Sequence, residues 1–264
     1  MKKVLLSLLL IIIVLAIAMR IRYGGGEDYR DLTGTPLFEA EVLEEVLAYD
    51  EPIGNVAVSS TGRVFFTVHP EARSQGNKLL EYVSGASVPY PSLQQQGTLF
   101  ETPLGIAIDR FDRLWVIDHG KHGLTRARIV AIDLATSEVL RAQDIDASLA
   151  PAGSMLQDLQ VSADGQTVII ADASFGRKRP GLIVYDVETG DARRALDGHA
   201  SVLAEDYVIR TSERRLEYFG GIVAVKGGVD GIALGPEWLY YGALNGSALY
   251  RVRLADLTNP DLSS

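Results

Sequence analysis

The stretch PLGIAIDRFDRLWVIDHG (residues 103–120) holds two short apolar runs separated by the turn Arg110-Phe111-Asp112. Alternation at period two, bounded by turn residues, reads as a pair of antiparallel strands. The same pattern occurs in PIGNVAVSSTGRVFFTVHP (52–70), LQDLQVSADGQTVIIADAS (156–174) and GVDGIALGPEWLYYGALNG (228–246). Setting Val58, Ile108, Val161 and Leu234 in register gives steps of 50, 53 and 73 residues. A hairpin that returns at close to the roughly 40–50 residues of a four-stranded blade predicts an all-β chain, a β-propeller with four visible repeats. The long last step carries an insertion, residues 191–227.

Working outward, third strands are expected at 78–83, 128–134, 181–187 and 248–254, with fourth strands at EVLRAQDI and DARRAL. The last repeat stops after its third strand. Residues 38–50 (FEAEVLEEVLAYD) are expected as an outer strand, although their Glu spacing also suits a short helix. The insertion is expected to form either a flap over one face or a decorated blade edge. Phe65, Phe66, Trp115, Trp238, Tyr240 and Tyr241 lie on second strands, where packing between blades is their first role.

Ahead of the repeats, Lys2 and Lys3 precede a run from Val4 to Met19 broken only by Ser7, and Arg20 and Arg22 end it. This is the pattern of a targeting segment, and it predicts a hydrophobic helix at 1–22 acting as signal peptide or membrane anchor. Ala16-Ile17-Ala18 has the spacing of a cleavage site, but the arginines after it favour an uncleaved anchor. Residues 23–37, with Tyr23-Gly24-Gly25-Gly26, read as a linker and 38–264 as the propeller, placed outside the cytoplasm: membrane-anchored, periplasmic or secreted.

The chain has 264 residues and net charge -9; the first 22 residues carry four cations, so the rest carries -13. Such a surface repels phosphate backbones and argues against a nucleic-acid partner. A cationic or neutral small molecule is easier to accommodate, and membrane contact is expected only through the N-terminal segment. With no cysteine, disulfides, thiolate nucleophiles and Cys-ligated zinc are excluded. No G-x-S-x-G elbow, phosphate-binding glycine loop, H-E-x-x-H or dinucleotide fingerprint is present.

In a blade, the start of the inner strand lies beside the end of the second strand, so both reach one mouth of the channel. Inner-strand starts supply Asn55, Asp158 and Asp230; second-strand ends supply His69, Asp118, His119, Asp172 and Asn245. Of these, Asn55, Asp118, His119, Asp158, Asp172, Asp230 and Asn245 are the candidate ligand-binding residues. Each also has a plain structural reading: Asp158 and Asp230 as caps of backbone amides, Asp118 and Asp172 as equivalent turn residues in two repeats. His119 and His122 lie three apart in a loop, where the spacing fixes no common face for a metal. His69, before Pro70, reads as a turn residue, and His199 as exposed.

LGIAIDRFDRLWVIDHG (104–120), GLIVYDVETGDARRALDGHASV (181–202) and GVDGIALGPEWLYYGALNGSALYRV (228–252) together resemble the major royal jelly protein and Yellow family in its bacterial branch, over roughly residues 38–260. The resemblance implies a secreted six-bladed propeller, so four repeats leave the ring to be completed by further chain or a partner, or closed with fewer blades. It implies roles from conversion of dopachrome-like compounds to amine binding, and brings no universal catalytic motif. A more distant likeness, to calcium-dependent gluconolactonases, offers the alternative of a lactone hydrolase. That reading would need Ca²⁺ as cofactor, held by Asp158, Asp230, Asn55 and Asn245; the Glu that class uses is absent unless Glu101 serves. A third reading is a protein-interaction scaffold without catalysis.

Overall fold

Each of the four hairpins folds as the inner and second strands of one blade. The computed structural model describes residues 1–30, 34–35, 37–38, 40–73, 76–211, 214–259 and 261–262. An apolar helix, α1 (Lys2–Tyr23), and a short strand, β1 (Glu27–Asp28), precede the blades. Blade 1 runs β2 (Ile53–Val58), β3 (Val64–Val68), β4 (Leu79–Val83) and β5 (Ala86–Pro89). Blade 2 runs β6 (Pro103–Ile108), β7 (Arg113–Asp118), β8 (Arg128–Asp133) and β9 (Val139–Asp144). Blade 3 runs β10 (Leu156–Val161), β11 (Thr167–Asp172), β12 (Gly181–Asp186) and β13 (Ala192–Ala195). The insertion contributes β14 (Tyr207–Val208), β15 (Glu217–Tyr218) and β16 (Val223–Ala224) before blade 4: β17 (Val229–Leu234), β18 (Trp238–Ala243) and β19 (Leu249–Arg253). Three blades are thus four-stranded antiparallel meanders and the fourth has three strands.

Side-chain bonds hold the turns of the first three hairpins, and the backbone bond from Gly235 N to the Trp238 carbonyl closes the fourth at 2.9 Å. Ser59 Oγ accepts from Arg63 N at 3.0 Å, Asp109 Oδ1 from Phe111 N at 2.9 Å, and Ser162 Oγ from Thr167 N at 2.9 Å. Short polar side chains at this place hold the turn by bonding its amides. The turns to the fourth strands of blades 2 and 3 use one device twice: Asp133 accepts from Thr136 N at 2.8 Å and Asp186 from Thr189 N at 2.7 Å.

The inner strands pack in chain order, β2 on β6, β6 on β10 and β10 on β17. They approach so closely that a Cβ on Gly105 would lie 2.7 Å from the Gln157 carbonyl oxygen. The core is divided into one apolar seam per pair of neighbouring blades. Phe65, Phe100, Ile106, Leu114 and Val130 fill the first; Trp115, Ile129, Leu159, Ile170 and Tyr185 the second; Ile169, Leu182, Val229, Ile232 and Tyr241 the third. Each such side chain contributes about 1.5–3 kcal/mol by leaving water. Trp115 satisfies its indole N–H on Asp109 Oδ2 at 2.8 Å. Of the six aromatics expected in inter-blade packing, Phe65, Phe66, Trp115 and Tyr241 are buried, while Trp238 and Tyr240 are only partly covered.

Two expectations need correction. Residues 38–50 form no strand among the described residues: Ala40–Val42 make one 3-10 turn, and Glu39 lies outside the described residues. The outer place in blade 1 is taken by β5, which returns beside β4 through Ser84 and Gly85, both at positive φ. Leu47 and Tyr49 instead cover Phe66, Val68 and Leu80, with the Tyr49 ring 5.3 Å from that of Phe66. The glycine stretch read as a linker is also built in: β1 pairs in parallel with β14, so residues after α1 form a sheet with the insertion.

Candidate functional site

Every inner strand carries a one-residue bulge near its start, where the ladder skips between Ile53 and Val56, Pro103 and Ile106, Leu156 and Asp158, and Val229 and Ile232. Bulges re-aim side chains and interrupt pairing. Asn55, Asp158 and Asp230 all lie at these irregularities. Asp158 spans two blades, its Oδ1 accepting from Leu159 N at 2.8 Å and its Oδ2 from Ile232 N on β17 at 3.1 Å. Burial raises its pKa, opposed by those two amides. Asp230, half-buried, accepts no hydrogen bond from any described residue; burial first, and the Asp158 charge second, push its pKa up to about 6. A Cβ on the neighbouring Gly231 would meet open space. Asp230 thus lies beside a satisfied carboxylate, without a donor of its own among the described residues, next to open space at Gly231. Asn55, half-buried in blade 1, gives its backbone N–H to Thr67 Oγ1 at 3.0 Å.

Three other candidates are spent on the backbone. Asp118 accepts from Thr102 N at 3.0 Å and Gly120 N at 2.9 Å, and also from Glu101 N and Thr102 Oγ1. Burial raises its pKa against these donors. Its equivalent in blade 3, Asp172, accepts from Met155 N at 2.8 Å and Ser174 N at 2.9 Å, and pairs with Arg194. Asn245 accepts from Gly227 N at 2.9 Å and donates to the carbonyls of Tyr207 at 3.0 Å and Val225 at 3.1 Å, pinning the insertion.

His119 belongs to a cleft of about 760 Å³ between the second-strand ends of blades 1 and 2, lined also by His69, Glu71, Glu101, Lys121 and His122. Its Nδ1 accepts from His122 N at 2.9 Å, so the neutral ring carries its proton on Nε2. That Nε2 is buried without a partner among the described residues. Burial, followed by the charge of His122, lowers the pKa of His119 to about 4. The His122 ring lies 4.8 Å from that of His119 and its Nε2 is 2.7 Å from Glu71 Oε1, a bond that holds the Glu71 carboxyl below its usual range. Lys121 does the same for Glu101 across 2.5 Å. His69 is the turn residue its sequence suggested, its Nδ1 accepting from Glu71 N at 3.2 Å, and His199 is exposed.

The seven candidates therefore do not share one mouth. Asp158 and Asp230 come together, His119 and Asp118 line the separate cleft, and Asp172 and Asn245 hold structure. Glu71 and Lys121 were missed; both lie within three residues of a second-strand end, the place that supplied His69 and His119. Of the four side chains that the calcium reading would use, Asp158 and Asp230 come together, while the Asn245 side chain is engaged with Gly227, Tyr207 and Val225; among the described residues no group of three His, Asp or Glu could hold a metal ion.

A family model described as "Major royal jelly protein" matches residues 102–264. Major royal jelly protein 3 of Apis mellifera is 33% identical over 168 residues, covering 59% of this chain and 29% of its own length. Major royal jelly protein 7 of the same organism is 32% identical over 160 residues, covering 56% and 34%. The chain thus spans about a third of the length of these relatives. Among solved structures, XC5397 from Xanthomonas campestris, described as a gluconolactonase, superposes with TM-score 0.46 at 15% identity over 82% of this chain and 62% of that one. YCF48 from Cyanidioschyzon merolae gives TM-score 0.44 at 13% identity over 80% and 54%.

Proposed function

The chain belongs to the major royal jelly protein family, and from that premise we propose that it is an extracytoplasmic propeller that binds a small aromatic amine between the inner-strand starts of blades 3 and 4. The observation that carries this reading is the acidic pair, in which Asp230 is half-buried, has no hydrogen-bond donor among the described residues and is kept near pKa 6 by burial and by Asp158. A ligand ammonium would supply the missing donor and relieve the repulsion together. A hydrogen bond between two charged groups contributes about 1.5–3 kcal/mol. Amine binding is also among the roles that the family resemblance implies. The extracytoplasmic placement is supported by α1, which holds an 18-residue window of mean hydropathy 3.0 and has no residue buried in the propeller core.

Calorimetric titration of the full chain with a panel of aromatic amines tests the reading. Binding is expected to strengthen as pH rises through about 6, where Asp230 ionises, and Asp230→Asn is expected to weaken it at least about tenfold. Equal affinity in the variant would overturn the assignment.

A further inference from the structure

The end of α1 is built into the rim of the propeller. Arg20 donates to the Gly221 carbonyl, Arg22 Nη2 to the Arg177 carbonyl at 3.0 Å, and Tyr23 Oη to the Gly176 carbonyl at 3.0 Å. Gly24 fits so tightly that a Cβ there would lie 2.5 Å from the Ile222 carbonyl oxygen. At about 1.5 Å per residue, the apolar run from Val4 to Met19 reaches about 24 Å, and the long side chains of Lys2, Lys3 and Arg20 at its ends can reach the headgroups on either side of a bilayer core of about 30 Å.

Two features surround this exit point. The hairpin of β15 and β16, which holds Arg20, presents Tyr218 and Phe219 at its tip, 49% and 81% exposed. Beside it, residues 20–26 and 173–181 hold five cations and no carboxylate, in a chain of net charge -9. Lys178 donates to the Lys226 carbonyl at 2.9 Å, and burial, followed by the charges of Lys226 and Arg22, lowers its pKa to about 8. Carboxylates from elsewhere answer only part of this charge: Asp197 pairs with Arg179 at 2.8 Å and Arg177 at 3.7 Å, and Asp206 pairs with Lys226. A cavity of about 290 Å³ opens between Arg22, Ser174, Lys178 and Lys226; of the two carboxylates that also line it, Asp206 is paired with Lys226 and Glu205 accepts from Ser247, which leaves Arg22 and Lys178 without a carboxylate partner among the described residues.

We propose that this rim rests on an anionic lipid surface, with lipid phosphates taken between Arg22 and Lys178 and the Tyr218–Phe219 tip immersed at the interface. The inference rests on the reading of α1 as a retained membrane anchor. A soluble anion would answer the cations but leave the aromatic tip in water. A protein partner would cover the tip, but the tip is continuous with an apolar helix that itself needs lipid. Aromatic side chains settle at the headgroup level of a bilayer, and basic residues near an anionic surface are attracted to it.

The chain has no native thiol, so a nitroxide on Phe219→Cys reports a single position. The full chain is reconstituted in nanodiscs of phosphatidylcholine, with and without phosphatidylglycerol, and collision with oxygen is compared with collision with a water-soluble nickel complex. The label at 219 is expected to be immersed in discs containing phosphatidylglycerol, whereas one on Ala163→Cys, in an inter-strand turn on the opposite face, stays aqueous. Arg22→Gln and Lys178→Gln are each expected to lower the ratio of docked to undocked label about fivefold. An aqueous label at 219 while α1 resists alkaline extraction would overturn the docking and leave the anchor standing. Extraction of α1 by alkali would overturn both. Equal immersion in phosphatidylcholine alone would overturn the anionic-lipid assignment.

Discussion

Asp172 and Arg194 form an ion pair inside blade 3, with Arg194 Nη1 2.9 Å from Asp172 Oδ2 and the Asp172 side chain wholly shielded from water. The same guanidinium reaches the Leu149 carbonyl at 2.6 Å and Asp197 at 2.8 Å, so it joins the end of the second strand to loops on both sides. Breaking a buried pair from one side leaves a stranded charge. Arg194→Met is therefore expected to cost about 3–5 kcal/mol in chemical denaturation, and Asp172→Asn made in the Arg194→Met background to recover part of it. A cost within the range of a surface substitution would show that the pair is dispensable.

Asp230 makes neutral pH unfavourable for the folded state. Its pKa is about 6 when folded, against about 3.9 in an unfolded chain. Between those values the folded protein binds more protons, so its stability rises as pH falls through about 6 and the gain is complete near pH 4. Two units correspond to about 3 kcal/mol. Asp230→Asn is expected to be more stable than the parent at pH 7.5 and close to it at pH 4, as denaturant melts at the two values would show. Equal stability at pH 7.5 would mean that the carboxylate is better solvated than its surroundings suggest.

His119 acts with the opposite sign. Its folded pKa of about 4 lies below the ordinary 6.5, so the unfolded chain binds the extra proton between those values. Stability is lost as pH falls through 6.5 and continues to fall to about 4, by about 3 kcal/mol. His119→Gln is expected to be weaker than the parent at pH 7.5, through loss of the bond to His122 N, while losing less on acidification to pH 5. The slope of stability with pH, compared between the two proteins, checks this; parallel slopes would remove His119 from the account.

The blades were legible because a strand hairpin leaves a local trace. Val58, Ile108, Val161 and Leu234, aligned by sequence alone, all occupy the last position of an inner strand, opposite the first or second residue of the strand that follows. β5 was not legible: Ala-Ser-Val-Pro has no alternation, and it is a strand only because β4 offers it an edge. The Glu-rich segment before blade 1 failed in the converse way, since the outer edge of that blade is already taken by β5.

Within the candidate site, repeat position placed Asp158 at an inner-strand start and Asp118 at a second-strand end, but not what either carboxylate bonds. Asp118 and Asp158 are both carboxylates near a channel mouth, yet one closes on loop amides and the other bridges two blades. That difference is decided by the direction of backbone N–H groups in neighbouring loops, which no spacing within one repeat records. The approach of Glu71 to His122 across two blades was hidden for the same reason.

The repeated bulge bears on how such a protein changes its chemistry over time. Residues at the bulges lie where strand pairing is interrupted, and this chain shows Asn55, Gly105, Asp158 and Gly231 at corresponding places; packing against Gln157 holds Gly105 to glycine, whereas Gly231 faces open space where a side chain could be added. A lineage can therefore try new ligands by point substitution at a few positions while the ladder beneath remains intact. In such a scaffold, recognition can drift at the open bulges while the packed ones keep the architecture still.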